Sequence, residues 1–136
     1  MKISILLPYK ENFSPEYPGA VSLFVNDTSL VSKYQKNIKV YGSTEHKKKF
    51  KIKYVNIKLS ENFIGSQSKQ YIDKFIEHEK KDPSNIIEIH NRPFYLKKLS
   101  KGLNKRMYTL FFHNDPLSME GSKSLPERQF LLQICS

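Results

Sequence analysis

Short apolar runs alternate with helical patterns along the chain, and this alternation limits the possible folds more than any other feature. Residues 2–7 form an apolar run closed by Pro8, and residues 107–112 form the most apolar run of all. Such runs are typical of strands buried on both faces of a parallel sheet. Because helical patterns separate them, the expected order is β-α-β-β-α-β-α-β-α. We therefore predict an α/β fold with a doubly wound, mainly parallel sheet and helices on both faces.

The remaining boundaries follow from local signals. Further strands are predicted at 38–41, 50–55 and 86–89, and helices at 19–31, 67–80, 93–101 and from 124 onward. Pro93 suits the first position of the third helix, and Gly102 suits its cap. Ser124 and Glu127 have the spacing of a capping box, which predicts where the last helix begins.

The 136 residues are enough for one domain, and 38% hydrophobic residues are enough for a core. These values exclude wholesale disorder. No apolar run approaches the roughly 20 residues of a membrane span, and the opening run is too short for a signal peptide. Cys135 has no second cysteine to pair with, so we expect a packed side chain and a reducing cytoplasm.

The net charge of +10 is concentrated in one stretch, Lys33–Lys58, which holds nine lysines and one acid, Glu45. Sequence-specific nucleic-acid recognition favours arginine, and the chain has only three arginines. We therefore expect no specific nucleic-acid partner. The stretch is compatible with a solvated strand edge, or with a surface that attracts phosphates, anionic lipid or RNA without sequence preference.

Polar residues follow three predicted strands, at the edge where parallel sheets bind ligands. His-Asn-Arg at 90–92 follows one strand, and His-Asn-Asp at 113–115 follows another. The first strand leads into a loop that ends at Gly19, at a helix start, where backbone N–H groups favour a phosphate. We therefore expect a ligand site at this edge of the sheet.

The sequence lacks the motifs of dinucleotide-binding proteins, P-loop nucleotidases and serine hydrolases. The Gly-x-Gly-x-x-Gly pattern, the Gly-x-x-x-x-Gly-Lys-[Ser/Thr] loop and the Gly-x-Ser-x-Gly elbow do not occur. His90, His113 and Asp115 can supply three metal ligands, but their spacing matches no metal motif, so we expect no metal.

Four motifs stand in order along the chain. They are Leu6-Leu7-Pro8-Tyr9-Lys10-Glu11 with Phe13-Ser14-Pro15, then Pro18-Gly19-Ala20-Val21, then Ile87-Glu88-Ile89-His90-Asn91-Arg92-Pro93, then Leu110-Phe111-Phe112-His113-Asn114-Asp115-Pro116 with Glu127-Arg128 beyond. With them the chain resembles the N-terminal, Rossmann-like domain of GT-B glycosyltransferases of the retaining family-4 group. The likeness is to bacterial enzymes of surface polysaccharide and lipopolysaccharide assembly, and it runs from residue 1 to about 132.

The resemblance implies transfer of a sugar from a UDP- or GDP-linked donor to a saccharide or lipid-linked acceptor, without a further cofactor. Gly19 and Ala20 would approach the donor diphosphate, although Pro18 stands where many family members have a glycine. His113 would contact the donor sugar or phosphate and is the candidate catalytic residue. The residues expected on the acceptor side are Glu11, Asn12, Phe13, His90, Asn91, Arg92, Asn114 and Asp115.

Members of the family carry a second domain that holds the nucleotide, and residues 1–136 contain no counterpart of it. The resemblance therefore implies a truncated acceptor-side domain that is inactive alone and approaches an anionic membrane through Lys33–Lys58. Two alternatives stay open. One is a non-enzymatic α/β module for a phosphate ligand or a protein. The other is a non-specific binder of anionic polymers.

Overall fold

The computed structural model describes residues 1–135, which form one parallel sheet of five strands. The strands are β1 (Ile3–Leu6), β2 (Ile38–Gly42), β3 (Tyr54–Asn56), β4 (Ile86–His90) and β5 (Met107–Phe111). They lie in the order β3-β2-β1-β4-β5, so the direction of winding reverses between β1 and β4. The α/β, Rossmann-like doubly wound sheet predicted from the sequence is confirmed.

Four α-helices accompany the strands within these residues. They are α1 (Ala20–Val31), α2 (Gln67–Lys81), α3 (Tyr95–Gly102) and α4 (Leu125–Ile134), with 3-10 turns at Gln35–Asn37 and Pro116–Ser118. The capping box of α4 is confirmed, because Ser124 and Glu127 each accept from the other's backbone N–H. Helix α3 begins at Tyr95, two residues later than predicted, and Gly102 lies inside its last turn.

The two faces of the sheet have separate cores because successive strand side chains point to opposite sides. Leu6 and Tyr41 belong to the first core cluster, which α2, α3 and α4 cover, and Ile5 and Val40 belong to the second, beneath α1. Cys135 is half-buried against the first core cluster, as expected, and burial raises the pKa of its thiol.

Two predicted strands differ from the structure. The run at 107–112 is a strand at Met107–Phe111, but it is not buried along its length. In the described sheet β5 is an edge strand, in which Tyr108 is buried and Met107 is 58% exposed. The alternating run at 50–55 is a strand only at Tyr54–Asn56, because Phe50 and Ile52 pack into the second core cluster without strand pairing. No helix of the described chain is long and apolar enough to span a membrane.

A buried carboxylate joins α2 to the amino-terminal edge of the sheet. Glu79 is fully buried and accepts from the Ser4 hydroxyl in β1. Its other oxygen accepts from the backbone N–H and the hydroxyl of Ser84, at 3.1 and 2.9 Å, and lies 3.5 Å from Arg106 Nε. These contacts hold the end of α2 and the loop between α2 and β4 against the sheet.

Candidate functional site

The carboxyl ends of β1, β4 and β5 meet beside helix α1. The Phe24 ring of α1 lies 4.9 Å from the His113 ring and 5.9 Å from the His90 ring, measured between centroids. Two tyrosines hold the loop that follows β1. Tyr71 donates its hydroxyl to the Leu7 carbonyl at 2.7 Å, and the Tyr9 N–H donates to the Tyr95 hydroxyl at 3.0 Å. The candidate site therefore lies where the strand order reverses, as expected for this fold.

The two histidines predicted at the edge are joined by a direct hydrogen bond. His90 Nδ1 lies 2.8 Å from His113 Nε2, and His90 Nε2 lies 2.7 Å from Glu88 Oε1. The His90 side chain is fully buried, so it does not face an acceptor as predicted, and it stacks on Phe111 with ring centroids 5.0 Å apart. His113 itself is exposed. A carboxylate, a buried imidazole and an accessible imidazole thus form a continuous chain, which we call the Glu88–His90–His113 chain.

The surroundings of His113 favour its neutral form. Burial lowers its pKa first and the neighbouring His90 lowers it further, while the negative charges of Glu11 and Glu88 act in the opposite direction. The neutral ring can accept a proton or a hydrogen bond at neutral pH.

We expect the His113 ring in the folded chain to titrate below the value of about 6.5 that is ordinary for histidine. Because the pKa of His113 is lower in the folded chain than in the unfolded chain, His113 makes its full contribution to stability above the unfolded pKa. This contribution is lost as the pH falls below the unfolded pKa and through the folded pKa. NMR titration of the ring, with the urea-denatured chain as control, measures both values, and a folded pKa at or above the denatured one would contradict the expectation.

Asn91 and Asn114 link the loops that follow β4 and β5. The backbone of Asn91 has a φ of +53°, which asparagine tolerates better than most residues. Its side-chain oxygen accepts from the His113 N–H at 2.7 Å, and its amide donates to Asn114 Oδ1 at 3.0 Å. Arg92 donates to the Asn91 carbonyl at 2.8 Å, and the Asp115 carboxylate accepts from the Leu117 N–H within its own turn. These hydrogen bonds fix the conformation of the two loops at this edge of the sheet.

The carboxylate of Glu11 occupies the amino terminus of α1. Glu11 Oε1 accepts from the Ser22 N–H at 3.0 Å, and a Cβ built on Gly19 would lie 1.9 Å from that same oxygen. Gly19 therefore leaves room for the carboxylate, beside the position where Gly19 and Ala20 are predicted to meet a diphosphate. An anion that binds the Ser22 N–H must first displace Glu11.

Gly19→Ala is expected to force the Glu11 carboxylate away from α1 and to lower the free energy of unfolding by about 1 kcal/mol, the usual value of such a cap. In a Glu11→Ala background the same change costs much less, because the obstructing oxygens are gone. Urea unfolding of the four variants gives the coupling energy. Strictly additive costs would show that the two residues do not interact.

Phe13 is not accessible to a ligand, contrary to the prediction that it faces an acceptor. Its side chain is fully buried in the second core cluster, with ring centroids 5.3 Å from Tyr54 and 5.0 Å from Phe50, and its N–H donates to Thr44 Oγ1. An aromatic residue in a polar loop of this length can reach the core and anchor the loop. Phe13 therefore supports the site instead of facing a ligand.

Asn12 lines a cavity of about 440 Å³ beside the site, together with Lys10, Tyr17, Thr44 and His46. The Asn12 amide donates to the carbonyls of Glu16 and Tyr17, and its buried Oδ1 has no hydrogen bond within the described residues. The polar lining suits a hydroxyl-rich ligand.

Glu88 is the site residue that the sequence prediction missed. It stands two positions before His90 in β4, so both side chains point to the same face of the sheet. An acidic residue within the apolar run Ile87-Glu88-Ile89 was the available signal.

Among residues 1–135, no group of three or more His, Cys, Asp or Glu side chains could hold a metal ion. Comparison of the chain with protein-family models, with curated proteins and with solved structures finds no match. The structure therefore defines the chain only as an α/β protein with polar groups at the point where the strand order of its sheet reverses.

Proposed function

We propose that the chain is the acceptor-side N-terminal domain of a retaining GT-B glycosyltransferase that serves envelope polysaccharide synthesis. In this proposal a sugar moves from a UDP- or GDP-linked donor to a saccharide or lipid-linked acceptor. The observation that supports it most is the contact of His113 with Phe24 of α1, the helix whose first turn holds the Glu11 carboxylate. Such an edge can present N–H groups to a diphosphate and an imidazole to the sugar that leaves it.

The chemistry asks for stabilisation of the departing diphosphate more than for a strong nucleophile. The first turn of α1 offers backbone N–H groups and the positive end of the helix dipole, once Glu11 has moved. His113, held by Asn91 and His90, offers an imidazole to the sugar. Such an enzyme also needs a second domain for the nucleotide, which residues 1–136 do not contain, so we expect no sugar transfer from them alone.

NMR titration of the ¹⁵N-labelled chain with UDP-glucose, GDP-mannose and inorganic pyrophosphate tests the proposal. All three probes are expected to shift Gly19 and Ala20, and the sugar nucleotides are also expected to shift His113. His113→Ala should reduce the shifts caused by the sugar nucleotides. His78→Ala is the matched control, because His78 lies on α2 against Tyr41, outside both the Glu88–His90–His113 chain and the cavity beside Asn12. Shifts confined to other surfaces would contradict the proposal.

One observation favours the non-enzymatic alternative. Glu11 already accepts from the Ser22 N–H in the first turn of α1, so part of this helix terminus is satisfied without an anion. If Glu11→Ala and the unmodified chain both leave pyrophosphate unbound, a module for protein contacts explains the chain better.

The lysine stretch supports a peripheral position at the cytoplasmic face of an anionic membrane. Lys39 is largely covered and pairs with Asp82, but Lys47, Lys48 and Lys51 are exposed. The loop after β3 also exposes an apolar side chain, Ile64, which is 98% accessible. Exposed lysines and exposed apolar side chains are both typical of surfaces that meet lipid headgroups.

Replacing Lys47, Lys48 and Lys51 together by glutamate is expected to weaken binding to phosphatidylserine vesicles by about 100-fold, since each lysine near an anionic surface contributes about 1 kcal/mol. A control with Lys80, Lys81 and Lys101 changed to glutamate has the same net charge and should bind nearly as well as the unmodified chain. Equal loss in both variants would mean that only net charge matters. Steeply salt-dependent binding to RNA instead of vesicles would favour the anionic-polymer alternative.

A further inference from the structure

The direction of the hydrogen bonds in the Glu88–His90–His113 chain follows from the donors and acceptors available. An ionised carboxylate only accepts hydrogen bonds, so His90 Nε2 must carry a proton to bond Glu88 Oε1 at 2.7 Å. A neutral His90 then has a bare Nδ1, which needs a donor. The atom 2.8 Å away is His113 Nε2, so that nitrogen carries the proton. A neutral His113 is thereby left with a bare Nδ1.

We propose that Glu88 and His90 are positioning residues that hold His113 in the Nε2-protonated tautomer, so that its Nδ1 presents a lone pair to a hydroxyl of the ligand. Neither Glu88 nor His90 needs to touch the ligand for this role. The tautomer follows from the hydrogen bonds of a neutral His90 beside an ionised Glu88, whereas the hydroxyl rests on the proposed function.

Ring contacts fix the planes of both imidazoles. His90 stacks on Phe111 with an angle of 7° between the rings, and Phe24 meets His113 nearly edge-on, at 78°. The His113 N–H donates to Asn91, so the backbone that carries the ring is held as well. Within the described residues, no hydrogen bond is made by His113 Nδ1.

The bare nitrogen discriminates between the two parts of a sugar nucleotide. Phosphate oxygens are negative and accept hydrogen bonds, so they gain nothing from a second acceptor. A sugar hydroxyl can donate. Burial and the neighbouring His90 lower the pKa of His113, which opposes the protonation that a phosphate contact would need. His113 therefore selects the sugar, and the amino terminus of α1 is left to the diphosphate.

The tautomer can be measured without a ligand, by long-range ¹H–¹⁵N NMR of the labelled chain at pH 8. We expect His113 to carry its proton on Nε2. Glu88→Ala should convert it to a mixture of tautomers, and Glu88→Gln should restore the single form because the amide oxygen still accepts. Glu77→Ala, which removes an exposed carboxylate on α2, is the matched control and should change nothing.

A proton on Nδ1 in the unmodified chain would overturn the proposal, as would an unchanged tautomer in Glu88→Ala. If Glu88→Ala does not fold, His90→Phe keeps an aromatic ring against Phe111 and removes the acceptor, and His113 should again become a mixture. An unchanged tautomer in His90→Phe would overturn the proposal equally.

Ligand titrations separate this inference from the proposed function. UDP-glucose should shift His113 Nδ1, inorganic pyrophosphate should not, and Glu88→Ala should weaken UDP-glucose binding about tenfold with recovery in Glu88→Gln, as for one lost hydrogen bond. A shift of Nδ1 by pyrophosphate would overturn the hydroxyl assignment. Binding of neither probe would overturn that assignment and the proposed function together, while the ligand-free tautomer still decides whether Glu88 and His90 position the ring.

Discussion

Glu79→Ala is expected to lower the free energy of unfolding by about 4 kcal/mol, in the range seen when one partner of a buried charged network is removed. The fully buried carboxylate accepts from Ser4 and Ser84 and lies beside Arg106. The substitution leaves these donors without an acceptor inside the fold, and the desolvation cost of each remains. Urea unfolding followed by circular dichroism measures the loss.

Glu77→Ala supplies the comparison on the same helix. Glu77 is 61% exposed and reaches Lys74 only at 3.9 Å, so its removal should change stability by less than about 0.5 kcal/mol. Glu79→Gln keeps the shape and one accepting oxygen and should fall between the two. If Glu79→Ala were as harmless as Glu77→Ala, the carboxylate would not hold α2 to the sheet.

Gly121→Ala is expected to cost about 3 kcal/mol. Gly121 has a φ of +92°, a conformation that residues with a side chain rarely adopt, and a strained backbone of this kind costs about 1–3 kcal/mol. A Cβ there would also lie 2.5 Å from the backbone nitrogen of Phe94, which cannot move aside as a flexible side chain can. The loop before α4 must therefore shift away from the start of α3.

Gly65→Ala tests which of the two causes dominates. Gly65 also has a positive φ, of +135°, but its Cβ would meet only the Phe63 side chain, at 3.1 Å, in an exposed loop. We expect a clearly smaller loss in thermal or urea unfolding. Equal losses for both glycines would mean that backbone strain, and not the contact with Phe94, sets the cost.

The sequence was sufficient for the strands and helices whose pattern is set locally. The capping box at Ser124 and the helical patterns at 19–31 and 67–80 are short-range signals, and the helices appear where expected. The exposure of β5 was not predictable, because an apolar run has the same sequence pattern in a central strand and in an edge strand. The strand predicted at 50–55 was too long for a related reason. Phe50 and Ile52 point alternately into the core, but their backbone does not pair with a neighbouring strand.

The site was predictable in part for the same physical reasons. Carboxyl ends of parallel strands share one edge, so His90 and His113 could be expected near each other. Their hydrogen bond and the role of Glu88 needed the register of β4 against β5. The position of Glu11 at α1 and the burial of Phe13 depend on how one irregular loop folds back, which no periodicity encodes.

The contact between Glu11 and the first turn of α1 sets a threshold for any anion that binds there. The carboxylate is tethered, so it competes at a high effective concentration that dilution does not change. The measured dissociation constant then equals the intrinsic one divided by the fraction of molecules in which Glu11 has swung away. Weak or scarce anions are excluded by this competition, and a single residue adjusts the affinity without altering the groups that make the contact.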